Sequence, residues 1–379
     1  MPSNNEPNFS IMVAKADLFA SMARVNSVIE RRKTIPILSN ALIRASGESL
    51  EFVATDLDME VTDIIAIDQI DKDGEITVPA QTLHDIARKL PSTATISLYV
   101  GDSGQMEIKS GRSSFTIPTL PSGDFPQMTS SSFDCNFSIC AADFKEILDR
   151  TKFAVSTEVT RYYLNGIYFH IKDGNLVAVA TDGHRLALSR IKAPAGSEEM
   201  QGVIVPRKTI AEIRRLIDGL PKDADLKISV SDTKIKFEID NVKLVSKLID
   251  GTFPDYDRVV PKSNPHKMVV NGADFRAAVD RVATISSEKS RSIVFDINAE
   301  RLKIEANGTG GMGAAHEDMD TEYEGADLRI GFSSKYLTDT LMQIESNQAV
   351  FYFDSPASPA LVLDPDSEGS LFVLMPLRV

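Results

Sequence analysis

Apolar residues recur at helical spacing in six stretches of the chain and alternate with polar residues in the runs between them. The segments "KADLFASMARVNSVI" (15–29), "AADFKEILDRTKFAV" (141–155) and "GADFRAAVDRVATIS" (272–286) share an acidic opening step and an apolar stripe. In the second, Phe144, Ile147, Leu148 and Thr151 fall on one face, and Asp143 is placed to cap the N-terminus. A second set of helices starts at Val78, Val205 and Phe332, at equal intervals of 127 residues. Pro79 and Pro206 suit a first helical turn, where a missing N–H costs nothing. Leu83, Ile86 and Leu90 of that set match Ile210, Ile213 and Ile217, a stripe that faces a sheet. "TIPILSNALIRASGESLEFVATD", "TRYYLNGIYFHIKDGNLVAVATD" and "SRSIVFDINAERLKIEANG" each alternate around a Gly, Asn or Asp turn, as paired strands do. Two copies then run from a strand into a Gly-x-Phe-Pro loop, at 123–126 and 251–254, and the third stops at "GSLFVLMPLRV". Four features repeated in one order predict an α+β protein of three equivalent domains, each with two helices on antiparallel sheets. The expected divisions are 1–132, 133–258 and 259–379.

Charge sharpens this picture. The chain of 379 residues carries a net −13, which on its face argues against a nucleic-acid partner. The distribution reverses that inference. Helical stretches 15–33, 80–90, 143–152, 206–222, 274–291 and 333–346 together carry +7, and the remainder carries −20. Arg24, Arg32, Arg88, Arg150, Lys152, Lys208, Arg214, Arg215 and Arg281 lie on these helices or just past their ends. If the repeats are arranged around an axis, equivalent helices line one surface, and an acidic protein acquires one basic lining suited to phosphates without base contacts. The N-terminus lacks a signal-peptide pattern, no apolar run is long enough for a membrane helix, and Cys135 and Cys140 are the only cysteines. A reducing cytoplasm, with no membrane partner, is the expectation.

Motifs suggestive of catalysis fit a non-catalytic role better. "GDSG" (101–104) falls between two strand-like runs, where a hairpin turn is the plainer reading. Gly308, Gly310 and Gly313 satisfy a dinucleotide fingerprint, but the acidic, non-periodic stretch that follows is no helix, so a loop is expected. The five histidines show no metal spacing, and no cofactor is expected. "VATDGHRLAL" (179–188) gathers an acid, a base and a cation, which suits a hydrolase or nuclease working through Asp182 and His184. Copy one, however, has "VATDLDMEV" 126 positions earlier, so the Ala-Thr-Asp step belongs to a shared turn in which Asp56 and Asp182 cap backbone N–H groups. Gly183, His184 and Arg185 exceed what the turn requires and leave a binding role.

Over nearly the whole chain these residues resemble the bacterial DNA polymerase III beta subunits, the processivity sliding clamps. The resemblance is carried by "RYYLNG" (161–166), "ATDGHRL" (180–186), "VPRK" (205–208), "KLIDGTFPDY" (247–256) and "MPLRV" (375–379), with "TIPIL" (34–38) and "GRSSF" (111–115) in support. It implies two subunits closed head to tail into a ring of six domains around duplex DNA, with helices lining the hole and no bond made or broken. By position, Arg32 and Tyr162 contact DNA, with Tyr163 beside them, and Phe115, Ile117, Thr284 and Ile285 meet the other subunit. The family's peptide-binding pocket falls on Leu164, Thr181, Gly183, His184, Arg185, Leu186, Pro254, Arg258, Val259, Ser358, Val373, Met375, Pro376, Leu377 and Arg378. The implied partners are duplex DNA of any sequence, a second copy, the clamp loader, and the polymerase III alpha subunit with other polymerases or repair proteins. A monomeric peptide-binding module is the remaining alternative, and sedimentation separates it from the ring.

Overall fold

The computed structural model describes residues 8–29, 35–101, 103–128, 132–286, 292–308 and 313–378. Among the described residues six α-helices stand where the apolar periodicity puts them: α1 (Lys15–Val25), α2 (Ala80–Lys89), α3 (Ala141–Thr151), α4 (Arg207–Leu216), α5 (Gly272–Ala283) and α6 (Ser334–Leu341). Each buries one stripe, for example Leu83 and Ala87 on α2 and Ile210 and Ile213 on α4. Their ends follow local chemistry. Asn271 caps α5 by accepting the Asp274 N–H at 3.0 Å, and beyond α4 the chain turns at Gly219, whose φ is +84°. Several expected bounds change, and α4, α5 and α6 end before 222, 291 and 346. α3 starts at Ala141, so Asp143 sits inside the first turn and acts on the helix dipole rather than as the cap. α1 ends at Val25 instead of running to 33, because the chain leaves the helix through Asn26, and Arg32 lies outside the described residues.

Among the described residues every strand pairing is antiparallel, and the strands form four sheets in two compact units. The first unit, 1–141 with 211–248, holds a five-stranded and an eight-stranded sheet. The second unit, 142–210 with 249–379, holds a nine-stranded and a four-stranded sheet. The larger sheets cross the sequence repeats. Strand Val242–Lys247 of the second repeat pairs with Met59–Ala66 of the first, and Arg185–Lys192 of the second pairs with Ser370–Leu374 of the third. The repeats and the compact units are therefore different divisions of the chain.

Turn geometry agrees with the sequence reading. Strands Thr95–Val100 and Gln105–Ser110 pair across 101–104, so "GDSG" closes a hairpin; Asp102 lies outside the described residues. Strands Leu302–Asn307 and Ala314–Met319 pair across the glycine-rich loop, with Gly308 N–H donating to the Gly313 carbonyl at 2.8 Å. A strand rather than a helix follows, which excludes the phosphate-binding geometry that the fingerprint needs. Gly310 lies outside the described residues.

Candidate functional site: an apolar pocket in the nine-stranded sheet

The site begins with a turn. Thr181 Oγ1 accepts the Gly183 N–H at 3.1 Å and donates to the Arg185 carbonyl at 2.6 Å. One carboxylate oxygen of Asp182 accepts the N–H groups of His184 and Arg185 at 2.9 and 3.0 Å. Copy one repeats the network: Thr55 accepts from Leu57, and Asp56 accepts from Asp58 and Met59. Asp182 is thus engaged in holding backbone, as expected of it. His184 stacks on Tyr336, with centroids 5.9 Å apart.

Gly183 has φ +89°, and a Cβ there would fall 2.5 Å from an Arg161 guanidinium nitrogen. Glycine lets Arg161 lie over the turn. The Arg161 pKa is raised by its hydrogen bond and charge pairing with Glu158. Arg185, expected on the pocket wall, lines it, with each of its three guanidinium nitrogens donating within the protein. Its side chain is 6% exposed and donates to Asp182, to Asp339 of α6 at 2.6 Å and to the Phe153 carbonyl at 2.6 Å, packed between the rings of Phe153 and Tyr336. It ties the second repeat to the third.

Leu186 follows on the same strand, opposite Val373 in register, and the Met375 N–H donates to the His184 carbonyl at 2.9 Å. Leu164, from the 3₁₀ turn Val159–Leu164, and the segment Phe253–Val259 complete an apolar cluster with Val177, Val179, Leu188 and Tyr256. At its end opens a cleft of about 250 Å³ lined by Leu164, Thr181, Gly183, Arg185, Leu186, Pro254, Val259, Val373 and Met375, together with Arg161, Tyr163, Asp255 and Tyr256. The last four were not assigned to the pocket from sequence. "RYY" at 161–163 and "DY" at 255–256 were the available signals, and only the tertiary fold shows that they converge. Arg258 and Ser358 line a neighbouring depression with Val259. His184, Pro376, Leu377 and Arg378 lie outside the cleft lining; the Leu377 N–H donates to the Gly331 carbonyl at 2.8 Å, which anchors that tail.

The basic residues separate into two kinds. Arg150 is a correction: it is 4% exposed, with a 2.9 Å ion pair to the fully buried Asp364 side chain, and so has no surface to offer a phosphate. Burial opposes ionisation of Asp364, yet its pKa is lowered, because hydrogen bonds from the Glu345 N–H, Arg150, Ser346 and the Asp366 N–H act together against it. Arg24 is likewise committed to buried Asp63 at 2.7 Å. Arg88, Lys152 and Arg214 pair with a carboxylate three or four residues away, and Lys208 and Tyr162 are exposed. Such surface pairs are weak enough to exchange a carboxylate for a phosphate. Arg215 pairs instead with the buried Glu212, and Arg281 makes two hydrogen bonds to Glu317 of strand Ala314–Met319. On the edge strand Ser113–Pro118, Ile117 is 5% exposed and Phe115 is 37% exposed. Thr284 is exposed and Ile285 half-buried at the end of α5.

Three family models of the DNA polymerase III beta subunit match successive stretches: the N-terminal domain over 9–129, the central domain over 138–255 and the C-terminal domain over 257–378. The chain belongs to the DNA polymerase III beta subunit family. It is 48% identical over 374 residues to the beta sliding clamp of Caulobacter vibrioides, covering 97% of this chain and 100% of that one. Against the beta sliding clamp of Pseudomonas aeruginosa the identity is 38%, covering 97% and 99%. A crystal structure of the sliding clamp from Bartonella birtlesii bound to griselimycin superposes with a TM-score of 0.95 at 46% identity, covering 98% of this chain and all of that one. As a beta subunit, the chain has the three clamp domains of its family, built of helices and antiparallel sheets. Among the described residues no helix is long and apolar enough to cross a membrane.

Proposed function

We propose that this protein is a DNA sliding clamp that tethers its partners through the pocket of the nine-stranded sheet. Two copies close head to tail around duplex DNA, and the ring holds the duplex topologically while exposed Lys and Arg contacts permit sliding. The observation that carries the reading is the cleft at Leu164, Leu186, Pro254, Val259, Val373 and Met375: an apolar floor with backbone and polar groups at its rim suits the side chains of a short extended peptide. Polymerases and the clamp loader are the partners this implies. No chemical step is assigned, because Asp182 caps backbone N–H groups and bonds Arg185, and His184 stacks on Tyr336.

Two sheet edges suit the ring. Ser113–Pro118 ends the five-stranded sheet and Ala314–Met319 ends the four-stranded one, each without a second strand partner among the described residues. Such edges pair readily with another chain. The deciding experiment loads the protein onto nicked circular DNA and then linearises the circle. Retention on the circle and release from the linear form are expected; retention on both would refute topological binding. Calorimetric titration with griselimycin tests the pocket, and Leu186→Glu should abolish a binding that the wild type shows.

A further inference from the structure

We infer that His170 is a positioning residue for the pocket, its hydrogen bond to the Tyr256 hydroxyl fixing the aromatic wall on which a bound side chain packs. The inference rests on the pocket reading above. Tyr256 lines the cleft, yet is 7% exposed, so its hydroxyl needs a protein partner. His170 Nε2 supplies it at 2.8 Å from strand Gly166–Lys172, which lies behind the wall and outside the cleft lining.

The pair is boxed from several sides. The imidazole stacks on Tyr168, with centroids 4.7 Å and planes 16° apart, and Tyr168 stacks in turn on Phe253 at 4.9 Å and 8°. A Cβ at Gly202 would fall 2.2 Å from the Tyr168 hydroxyl, so that position must stay bare for the stack to exist. Two residues further along the same strand, Lys172 pairs with Asp257 and places its ammonium 5.6 Å from the Tyr256 ring. Consecutive side chains of the Tyr256–Arg258 turn thus reach back to alternate positions of one strand. The Asp257 pair is exposed and weak, whereas the Tyr256 bond is part-buried, so His170 carries the greater share of the positioning.

Lys172 faces the imidazole from its own strand, Tyr256 and Asp257 from the turn; the opposing strand presents apolar Val177 and the neighbouring one Ile204 opposite Tyr168. Burial first and Lys172 second lower the His170 pKa from its ordinary value, with Asp257 and the Val177 backbone opposing. A lowered base gives stability that is complete above the ordinary histidine range and is lost as pH falls below it, because the unpacked ring takes up the proton more readily.

The test is calorimetric titration of the full-length protein with griselimycin, from about pH 7.5 down to about pH 5.5. His170→Leu and Tyr256→Phe should each weaken binding about three- to tenfold, and the double variant should be no weaker than the worse single one, since both remove one bond. His170→Gln, which keeps a hydrogen-bonding group without a titrating one, should bind within about twofold of wild type and lose the decline at acid pH. Unchanged binding in His170→Leu, single losses that multiply in the double variant, or an equal acid decline in His170→Gln would each overturn the inference. Absence of griselimycin binding by the wild type is a different result; it overturns the pocket reading and this inference with it.

Discussion

Arg185→Met isolates the buried link between the second and third repeats. The guanidinium makes ion pairs with Asp182 and Asp339, donates to the Phe153 carbonyl, and lies against two aromatic rings. Removing one partner of a buried pair costs about 3–5 kcal/mol when the other is stranded. Here the stranding is incomplete. Asp182 keeps the backbone N–H groups of His184 and residue 185, and Asp339 keeps Lys335 at 2.7 Å. Methionine also retains most of the packing between Phe153 and Tyr336. The expected loss is therefore about 2–3 kcal/mol, dominated by the Phe153 carbonyl and the weakened carboxylates. Urea unfolding followed by fluorescence measures it, and Asp339→Asn with the double variant completes a cycle. A coupling of about 1–2 kcal/mol is expected between the two sites. A loss below about 0.5 kcal/mol, or strict additivity, would show that Arg185 is an ordinary solvated cation and that the proposed staple is wrong.

Gly183→Ala should cost about 1–2 kcal/mol from its left-handed backbone and displace Arg161, weakening griselimycin binding in calorimetry; Leu57→Gly at the equivalent copy-one turn, where φ is 78°, relieves strain and should leave griselimycin affinity unchanged. Phe115→Arg places a charge on an open sheet edge and should shift sedimentation from dimer to monomer with the fold intact by circular dichroism. Burial raises the Glu60 pKa against the opposing Met128 N–H, so the folded state is penalised as pH rises above the ordinary carboxyl range. Glu60→Gln should then raise the melting temperature at neutral pH, with the gain vanishing near about pH 4.

The sequence made the local features legible and hid those that depend on distant partners. Asp182 as a capping residue was readable because the backbone N–H groups that donate to it lie two and three residues on, and because copy one offered a second example without His184 or Arg185. Six helices were readable from apolar spacing. Arg150 was misjudged for a reason that spacing cannot repair: its partner Asp364 lies 214 residues away, and a helix pattern marks which face is polar without saying whether another repeat covers it. Alternation places Ile117 on the face of Phe115 and does not tell that the first is buried while the second is exposed. Arg161, Tyr163, Asp255 and Tyr256 reach the pocket through the fold of two separate segments, and no spacing rule connects them.

Sheet continuity has a thermodynamic consequence. The middle repeat gives Cys135–Cys140 and its last three strands to the sheet of one unit, and its other four strands to the sheet of the other. Because backbone ladders run across both repeat junctions, no repeat owns a complete set of hydrogen bonds, and none should melt alone. Calorimetry should therefore resolve at most two cooperative transitions for three sequence repeats, with the boundary falling inside the second.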